Sequence, residues 1–151
     1  MRKEAIEALR VYISSLTQFT ILKPGRVTAI EMGSEEIYNL MLSECPAILL
    51  DYRATKRQLQ GGKSARFYNG RIIVAVNCFD LDDAEDELSD YITIVLDRLY
   101  RKGTPEDPLP QYDSTPIWLK VGESSPYIFK ENEDKSFFLA EQIPCNLEWK
   151  Y

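Results

Sequence analysis

Histidine does not occur anywhere in the 151 residues of the chain. Its absence removes the commonest general base near neutral pH, the commonest side-chain metal ligand, and every nucleophile that depends on a Ser–His or Cys–His pair. Carboxylates and lysines could still support catalysis, but an enzymatic function becomes less expected. We therefore predict no catalytic residue, no metal site and no cofactor.

Cysteines and long apolar segments are also scarce. Cys45, Cys78 and Cys145 are widely spaced and form no C-x-x-C pair, an odd set that suits a reducing compartment better than a disulfide framework. Cys45 and Cys78 lie within or beside apolar runs, which predicts that they are small core residues. No segment has the length of a membrane span. Charged residues interrupt positions 1–7, so we do not expect a signal peptide there.

The balance of charge is acidic, with 18 Lys and Arg against 24 Asp and Glu and a net charge of −6. Broad binding to nucleic acid or to an anionic membrane needs a surplus of cations, so neither is predicted. With 44% hydrophobic and 28% charged residues the composition is that of an ordinary globular protein. At this length the chain is expected to form a single domain, residues 1–151, without a disulfide or metal staple.

The chain is organised around residues 46–103, which predict a strand, a long loop, a strand and a helix. The apolar runs 47–52 and 72–76 are typical of interior strands, and we expect them to pair antiparallel. The connection over residues 53–71 is predicted to be too long for a tight hairpin. The predicted fold class is α+β: a mostly antiparallel mixed sheet with helices packed on one face, a long β-hairpin arm and a C-terminal β-meander.

Helical periodicity predicts helices over residues 2–17 and 35–42 and a third that ends near Lys102, and a short strand is predicted over residues 26–32. Asp82 or Asp83 is expected to be the N-cap of the third helix. The predicted buried stripe of this helix is Leu88, Ile92, Val95, Leu96 and Leu99. Gly103 is the expected residue just beyond its end.

The region after residue 102 is predicted to complete the domain. Its proline-rich start, 104–116, indicates an irregular connector. Short strands are expected at 117–121, 127–130 and 136–140, with a turn over 122–126 and an edge strand over 143–151. The many aromatic residues there suit either a packed meander or a contact surface for another subunit.

Charge is segregated between two neighbouring segments. Residues 53–71 contain no acid and six cations: Arg53, Lys56, Arg57, Lys63, Arg66 and Arg71. Seven acids fall between Asp80 and Asp90. The basic segment is either a solvated arm or a contact arm for an anionic partner. It is not a phosphate loop, because position 57 is Arg where the G-x-x-x-x-G-K-[ST] motif requires Gly. The acidic segment lacks the central Gly of a calcium loop.

The order of these elements resembles that of the tail-terminator or tail-completion proteins of long-tailed bacteriophages and prophages, particularly the Mu-like minor tail family. The resemblance covers roughly residues 1–102. Its components are an N-terminal helix, a short helix before the strand Pro-Ala-Ile-Leu-Leu (46–50), a basic hairpin arm, the strand Gly-Arg-Ile-Ile-Val-Ala-Val (70–76) and an acidic-start helix containing Leu-Asp-Arg-Leu (96–99).

The resemblance implies a non-catalytic protein of the virion tail, assembled in the host bacterial cytoplasm. Such proteins form a ring, typically sixfold, that caps the tail tube protein and meets the head–tail connector protein. A head-to-tail ring requires two complementary surfaces on each subunit. The hypothesis is that cations of one copy face acids of the next, so the predicted subunit-interface residues are Arg53, Lys56, Arg57, Lys63, Arg66, Asp82, Asp83, Asp86 and Asp90.

Two other functions stay open at this point. One is a small adaptor that binds another protein through the basic arm. The other is a metal-dependent enzyme, such as a nuclease, that uses Asp51 or the acids of residues 80–87. Calorimetry with divalent cations would separate the enzyme from the rest, and native mass spectrometry would separate the ring from the adaptor.

Overall fold

The computed structural model describes residues 2–14, 28–31, 45–60, 63–101, 109–112, 115–131 and 137–150. In chain order its elements are α1 (Arg2–Ser14), β1 (Thr28–Glu31), β2 (Ala47–Gln60), β3 (Lys63–Cys78), α2 (Leu81–Arg101), β4 (Leu109–Tyr112), β5 (Thr115–Val121), β6 (Ser125–Glu131) and β7 (Phe137–Lys150). The predicted helix over 35–42, residues 15–17 of the first predicted helix and Gly103 lie outside the described residues.

All seven strands belong to one sheet, in the order β1-β2-β3-β7-β5-β4, with β6 also paired to β7. The β1–β2 pair is parallel and the others are antiparallel. The predicted α+β class, with a mostly antiparallel mixed sheet, is therefore confirmed. Because β7 pairs with β3, the C-terminal strands belong to the same sheet as the strands that precede α2.

Strand β3 lies at the centre of the core, and its residues 72–76 are buried on both faces. On one face Ile72, Val74 and Val76 belong to a single cluster with buried residues of both helices. Helix α1 lies against β1, β2 and β4, and α2 lies against β3, β5 and β7. Both described helices therefore cover the same face, as predicted. On the other face Ile73 and Ala75 are also buried, which is why this strand is apolar throughout instead of alternating.

The segment between the two predicted interior strands is not a loop. Strands β2 and β3 stay paired up to Gln60 and Lys63, so that only residues 61 and 62 separate them. The long loop predicted over residues 53–71 is therefore wrong, whereas the long β-hairpin arm and the antiparallel pairing are confirmed. The reason is turn chemistry, because a Gly-Gly pair between two extended runs favours a two-residue hairpin connection.

Helix α2 has a buried stripe close to the predicted one. Its buried residues are Ala84, Leu88, Tyr91, Ile92, Val95 and Leu99. Leu96, which was expected in the stripe, is half-buried. The sequence prediction did not include Tyr91, although its position between Leu88 and Val95 is on the same side of a 3.6-residue helix.

The N-cap of α2 is Asp80, so the predicted caps, Asp82 and Asp83, are wrong. The Asp80 Oδ1 atom accepts a hydrogen bond of 3.1 Å from the backbone N–H of Asp83. The Asp80 carbonyl oxygen accepts one of 3.0 Å from the N–H of Ala84. The helix begins at Leu81, and Asp82 and Asp83 fall in its first turn, where their charges complement the helix dipole.

An Asp80→Ala variant is expected to lose about 1 kcal/mol of stability, because the N–H of Asp83 loses its acceptor. The matched control is Asp90→Ala, which removes an exposed carboxylate beyond the first turn and should change stability by at most about 0.5 kcal/mol. Urea unfolding measures both. An Asp80→Asn variant keeps a capping oxygen and should stay close to the wild type; a loss as large as that of Asp80→Ala would contradict the capping role.

The proline-rich connector predicted over 104–116 contains regular structure. Strand β4 includes Pro110, and β5 begins at Thr115. Leu109 pairs with Ile117, and Tyr112 pairs with Thr115. The prediction of an irregular connector is wrong because Pro110 lies within a strand. β4 is the last strand in the sheet order, and an edge strand tolerates a residue that lacks an N–H.

The C-terminal strands do not form a simple meander. Strands β5 and β6 both pair with β7, one after the other along the same strand, and not with each other. Residues 122–124 therefore connect two strands that follow one another along the same edge of β7. The turn predicted over 122–126 is wrong. The predicted third strand and edge strand are also wrong as separate elements, because β7 runs unbroken from Phe137 to Lys150 in the interior of the sheet.

Proline 144 explains how β7 can be both long and interior. Its carbonyl oxygen accepts a hydrogen bond of 2.8 Å from the N–H of Gly122. In a β-strand the nitrogen and the carbonyl of one residue face the same neighbouring strand. The Pro144 nitrogen, which carries no hydrogen, therefore faces the gap between β5 and β6. A Cβ on residue 122 would lie 3.1 Å from the Pro144 Cβ, which explains why glycine suits this close approach.

The three cysteines, all within the described part of the chain, form no disulfide. Cys78 and Cys145 are buried, and Cys45 is half-buried. The prediction that Cys78 is a core residue is therefore confirmed, whereas Cys45 lies at the margin of the core. Burial raises the pKa of the Cys78 thiol, and the nearby negative charges of Asp80 and Glu85 raise it further.

Candidate functional site

The predicted cations lie on the long hairpin formed by β2 and β3, and the β3 strand of this hairpin stays paired with β7 as far as Ala65 and Lys150. We call residues 53–71 the basic hairpin. Arg57 and Arg66 are direct cross-strand partners, and Lys63 pairs with Gln60 next to the turn. Like charges placed opposite each other destabilise an antiparallel pair, so this end of the hairpin favours an anionic partner. The side chains of Arg53 to Arg66 lie outside the described part of the structure, and these positions are those of the backbone.

A β-bulge and a side-chain hydrogen bond mark the base of the basic hairpin. The register shifts between Asp51 and Ala54, so that residues 52 and 53 oppose the single Gly70. Such a bulge bends the strand and increases its twist. The Gly70 N–H donates a hydrogen bond of 3.3 Å to Asn146 Oδ1 of β7. The hairpin is therefore anchored at its base to the central sheet.

Arg71, the last cation of the segment, is engaged within its own copy. Its Nη1 atom donates a hydrogen bond of 2.8 Å to Gln142 Oε1. The Gln142 amide in turn donates one of 3.2 Å to Ser125 Oγ. This half-buried chain joins β3, β7 and β6, so Arg71 has a structural role that the sequence did not reveal.

The outer half of the basic hairpin has one open edge among the described residues. Strand β1 pairs with β2 only up to Leu50, and beyond that point β2 pairs with β3 alone. Edge strands of this kind commonly carry cations that discourage edge-to-edge aggregation. The positions of Arg53, Lys56 and Arg57 on this edge agree both with a solvated arm that is protected against aggregation and with a contact arm for an anionic partner.

The predicted acids lie at the start of α2. The residues from Phe79 to Asp90, which we call the acidic end, follow directly after β3. Among the predicted interface residues, Asp82, Asp83, Asp86 and Asp90 are all exposed. None of them is needed to cap the helix, because Asp80 does so. Their charges are thus directed to solvent and are available to a partner.

Two exposed apolar side chains accompany these acids. Phe79 is 83% exposed and Leu81 is 51% exposed. Phe79 occupies the position before the N-cap, where an apolar residue often packs against the fourth helical residue. That residue is Ala84, which is buried while Phe79 is not. The sequence analysis missed Phe79 because it closes an apolar strand pattern that predicts burial.

The basic and acidic groups lie at opposite ends of β3. Arg66 is near the hairpin turn and Cys78 is the last residue of the strand, so the two are twelve residues apart. At roughly 3.3 Å per residue they are separated by about 40 Å. Charges at that distance are screened from each other in physiological salt, where the Debye length is about 8 Å. The hairpin tip and the first turn of α2 therefore do not neutralise each other within one copy.

No group of three or more His, Cys, Asp or Glu side chains is placed to hold a metal ion in the described part of the chain. Of the helices described, neither has a length and apolarity sufficient to cross a membrane.

Comparisons with known proteins do not assign the chain to a family. None of the protein-family models matches it, and a search of curated proteins finds no match.

Proposed function

We propose that this chain is a non-catalytic structural subunit that assembles head to tail into a ring, as a tail-terminator or tail-completion protein of a long-tailed bacteriophage or prophage. The observation that carries the proposal is the position of the cations and the acids at opposite ends of β3. A ring of identical subunits needs two different surfaces that complement each other on neighbouring copies. One chain offers both surfaces, and the hairpin tip is too far from the first turn of α2 to pair with it internally.

The biological setting of the proposal comes from the order of elements over residues 1–102. In this setting the ring, sixfold by analogy with the family, caps the tail tube and joins it to the head–tail connector. Assembly takes place in the cytoplasm of the bacterial host, and the finished ring belongs to the virion tail. Complementary charges at the edge of the interface would align neighbouring subunits and speed their association. Apolar contacts would supply most of the affinity.

Charge reversal on the hairpin tests the proposal. A Lys63→Glu/Arg66→Glu variant is expected to self-associate at least about ten-fold more weakly than the wild type at low salt, because like charges then meet across the interface. Sedimentation equilibrium at about 0.05 M and 0.5 M salt measures the dissociation constant. Wild-type association should weaken as salt rises, and native mass spectrometry should give the number of copies in the ring.

The matched control reverses two cations elsewhere. Lys120 and Arg101 are exposed and lie outside the basic hairpin, so Lys120→Glu/Arg101→Glu makes the same change in net charge. This control should associate like the wild type. Adding Asp82→Lys/Asp86→Lys to the hairpin variant should restore association, because both surfaces are then reversed. Association that is unchanged in the hairpin variant at every salt concentration would overturn the proposed interface.

The adaptor function has one observation in its favour, the open edge of β2 beyond Leu50. Such an edge can accept an added strand from another protein. An adaptor would stay monomeric at concentrations where a ring-forming subunit associates. The sedimentation series therefore separates the two functions directly.

A further inference from the structure

We infer that Phe79 is the apolar anchor of the acidic end and docks on the arginines of the basic hairpin of a second copy. This inference rests on the proposed function and deepens it, because it names the contact that would supply affinity beyond charge. Phe79 is 83% exposed, and among the described residues nothing within its own copy covers it. Removing this ring from water would therefore contribute favourable free energy to binding. Leu81, at 51% exposed, widens the apolar surface.

Carboxylates surround Phe79. Phe79 is followed by Asp80, Leu81, Asp82 and Asp83, and these three carboxylates lie on exposed residues. A partner for this surface must bind an aromatic face and carboxylates together. Arginine does both, because its planar guanidinium stacks on aromatic rings and pairs with carboxylates through two parallel hydrogen bonds. Lysine pairs with a carboxylate as a point charge and stacks less well.

The basic hairpin of a second copy offers these arginines. Arg57 and Arg66 are neighbours across the hairpin, which places two arginines at one position of the ladder. Aromatic residues adjoin them, since Phe67 follows Arg66 in β3 and Trp149 pairs with Arg66 in β7. The basic hairpin thus combines the residue types that an exposed phenylalanine among carboxylates requires. The acidic end and the basic hairpin are also at opposite ends of β3, so only another copy can bring them together.

The experiment compares the self-association of four chains by sedimentation equilibrium. Phe79→Ala should raise the dissociation constant about ten-fold, within the range of a cation–π contact that loses water. Tyr100→Ala, the matched control, removes an exposed aromatic ring at the other end of α2 and should leave association unchanged. Arg66→Lys keeps the charge but loses the planar group, and should weaken association several-fold. Because Phe79 is exposed, thermal unfolding of Phe79→Ala should match that of the wild type.

The double variant Phe79→Ala/Arg66→Lys decides whether the two residues meet. If they are in contact, its effect should be smaller than the two single effects combined. Additive effects would overturn the assignment of Arg66 as the partner of Phe79. If Phe79→Ala associates like Tyr100→Ala while the hairpin charge reversal still weakens assembly, the inference fails and the proposed function stands.

Two further outcomes bear on both proposals. If Phe79→Ala weakens association but the charge reversal does not, the apolar contact exists and its occupant is not the basic hairpin. A wild-type chain that stays monomeric up to about 1 mM, a limit that corresponds to only ~4 kcal/mol of binding free energy, would overturn the ring and the anchor together.

Discussion

An Ile72→Ala variant is expected to unfold with a free energy about 2–5 kcal/mol below that of the wild type. Ile72 is fully buried, and its direct partners Leu50 in β2 and Ile143 in β7 are fully buried as well. Removing most of its side chain leaves a cavity between three strands and the helices above them. Since such domains are stable by only about 5–15 kcal/mol, the variant loses a large share of its stability.

Denaturant unfolding followed by circular dichroism measures this loss as a shift of the midpoint at constant slope. An Ile72→Val variant removes a single methylene and should lose only about 0.5–1.5 kcal/mol. The matched control is Val11→Ala on α1, where the side chain is 52% exposed and the change should stay within about 0.5 kcal/mol. Equal losses for Ile72→Ala and Val11→Ala would contradict the position of β3 at the centre of the core.

The core was predictable because burial leaves a periodic pattern in the sequence. The β-branched run 72–76 predicted an interior strand, and the spacing of Leu88, Ile92, Val95 and Leu99 predicted one face of a helix. Both patterns report contacts with the rest of the core. The N-cap was missed by a few residues because Asp80, Asp82 and Asp83 are chemically equivalent caps, and only the end of β3 selects the first of them.

The basic hairpin and the C-terminal strands were harder to predict because their pairing joins polar segments or residues that are distant in the sequence. Residues 53–60 and 63–70 are largely polar and carry no apolar alternation, so they suggested a loop. The local signal is the Gly-Gly pair at 61–62, which favours a two-residue hairpin connection. The alignment of β5 and β6 along β7 depends on Gly122 meeting Pro144, two residues that are distant in sequence and carry no pairing signal of their own.

The candidate site was predictable in its residues but not in its geometry. Charge segregation between 53–71 and 80–90 is visible in the sequence alone. The distance between the two groups follows only once β3 is known to run unbroken from Lys63 to Cys78. The exposure of Phe79 could not be predicted, because an apolar residue at the end of a buried strand is usually covered. Tertiary structure alone shows that it is not.

Alkaline pH is expected to destabilise the wild type more than a Tyr91→Phe variant. Tyr91 is 1% exposed, and burial, assisted by the negative charge of Glu87, raises the pKa of its phenol from 10.0 to about 12. Between these values the unfolded chain has lost the phenol proton while the folded chain keeps it. The folded state then binds more protons, so its stability falls as the pH rises. The loss is zero well below pH 10 and reaches about 2–3 kcal/mol above pH 12.

The variant isolates this contribution because phenylalanine keeps the ring and cannot ionise. Denaturant unfolding at about pH 9 and pH 11 should show a wild-type loss that exceeds the Tyr91→Phe loss by about 1.4 kcal/mol. Cys78 and the other tyrosines are present in both chains, so their ionisation cancels in the comparison. Equal losses in the two chains would mean that the Tyr91 phenol ionises as readily in the folded state as in the unfolded one, and its burial on the inner side of α2 would be contradicted. A difference of the expected size would instead tie the alkaline limit of this fold to one buried residue of α2 that the predicted stripe did not include.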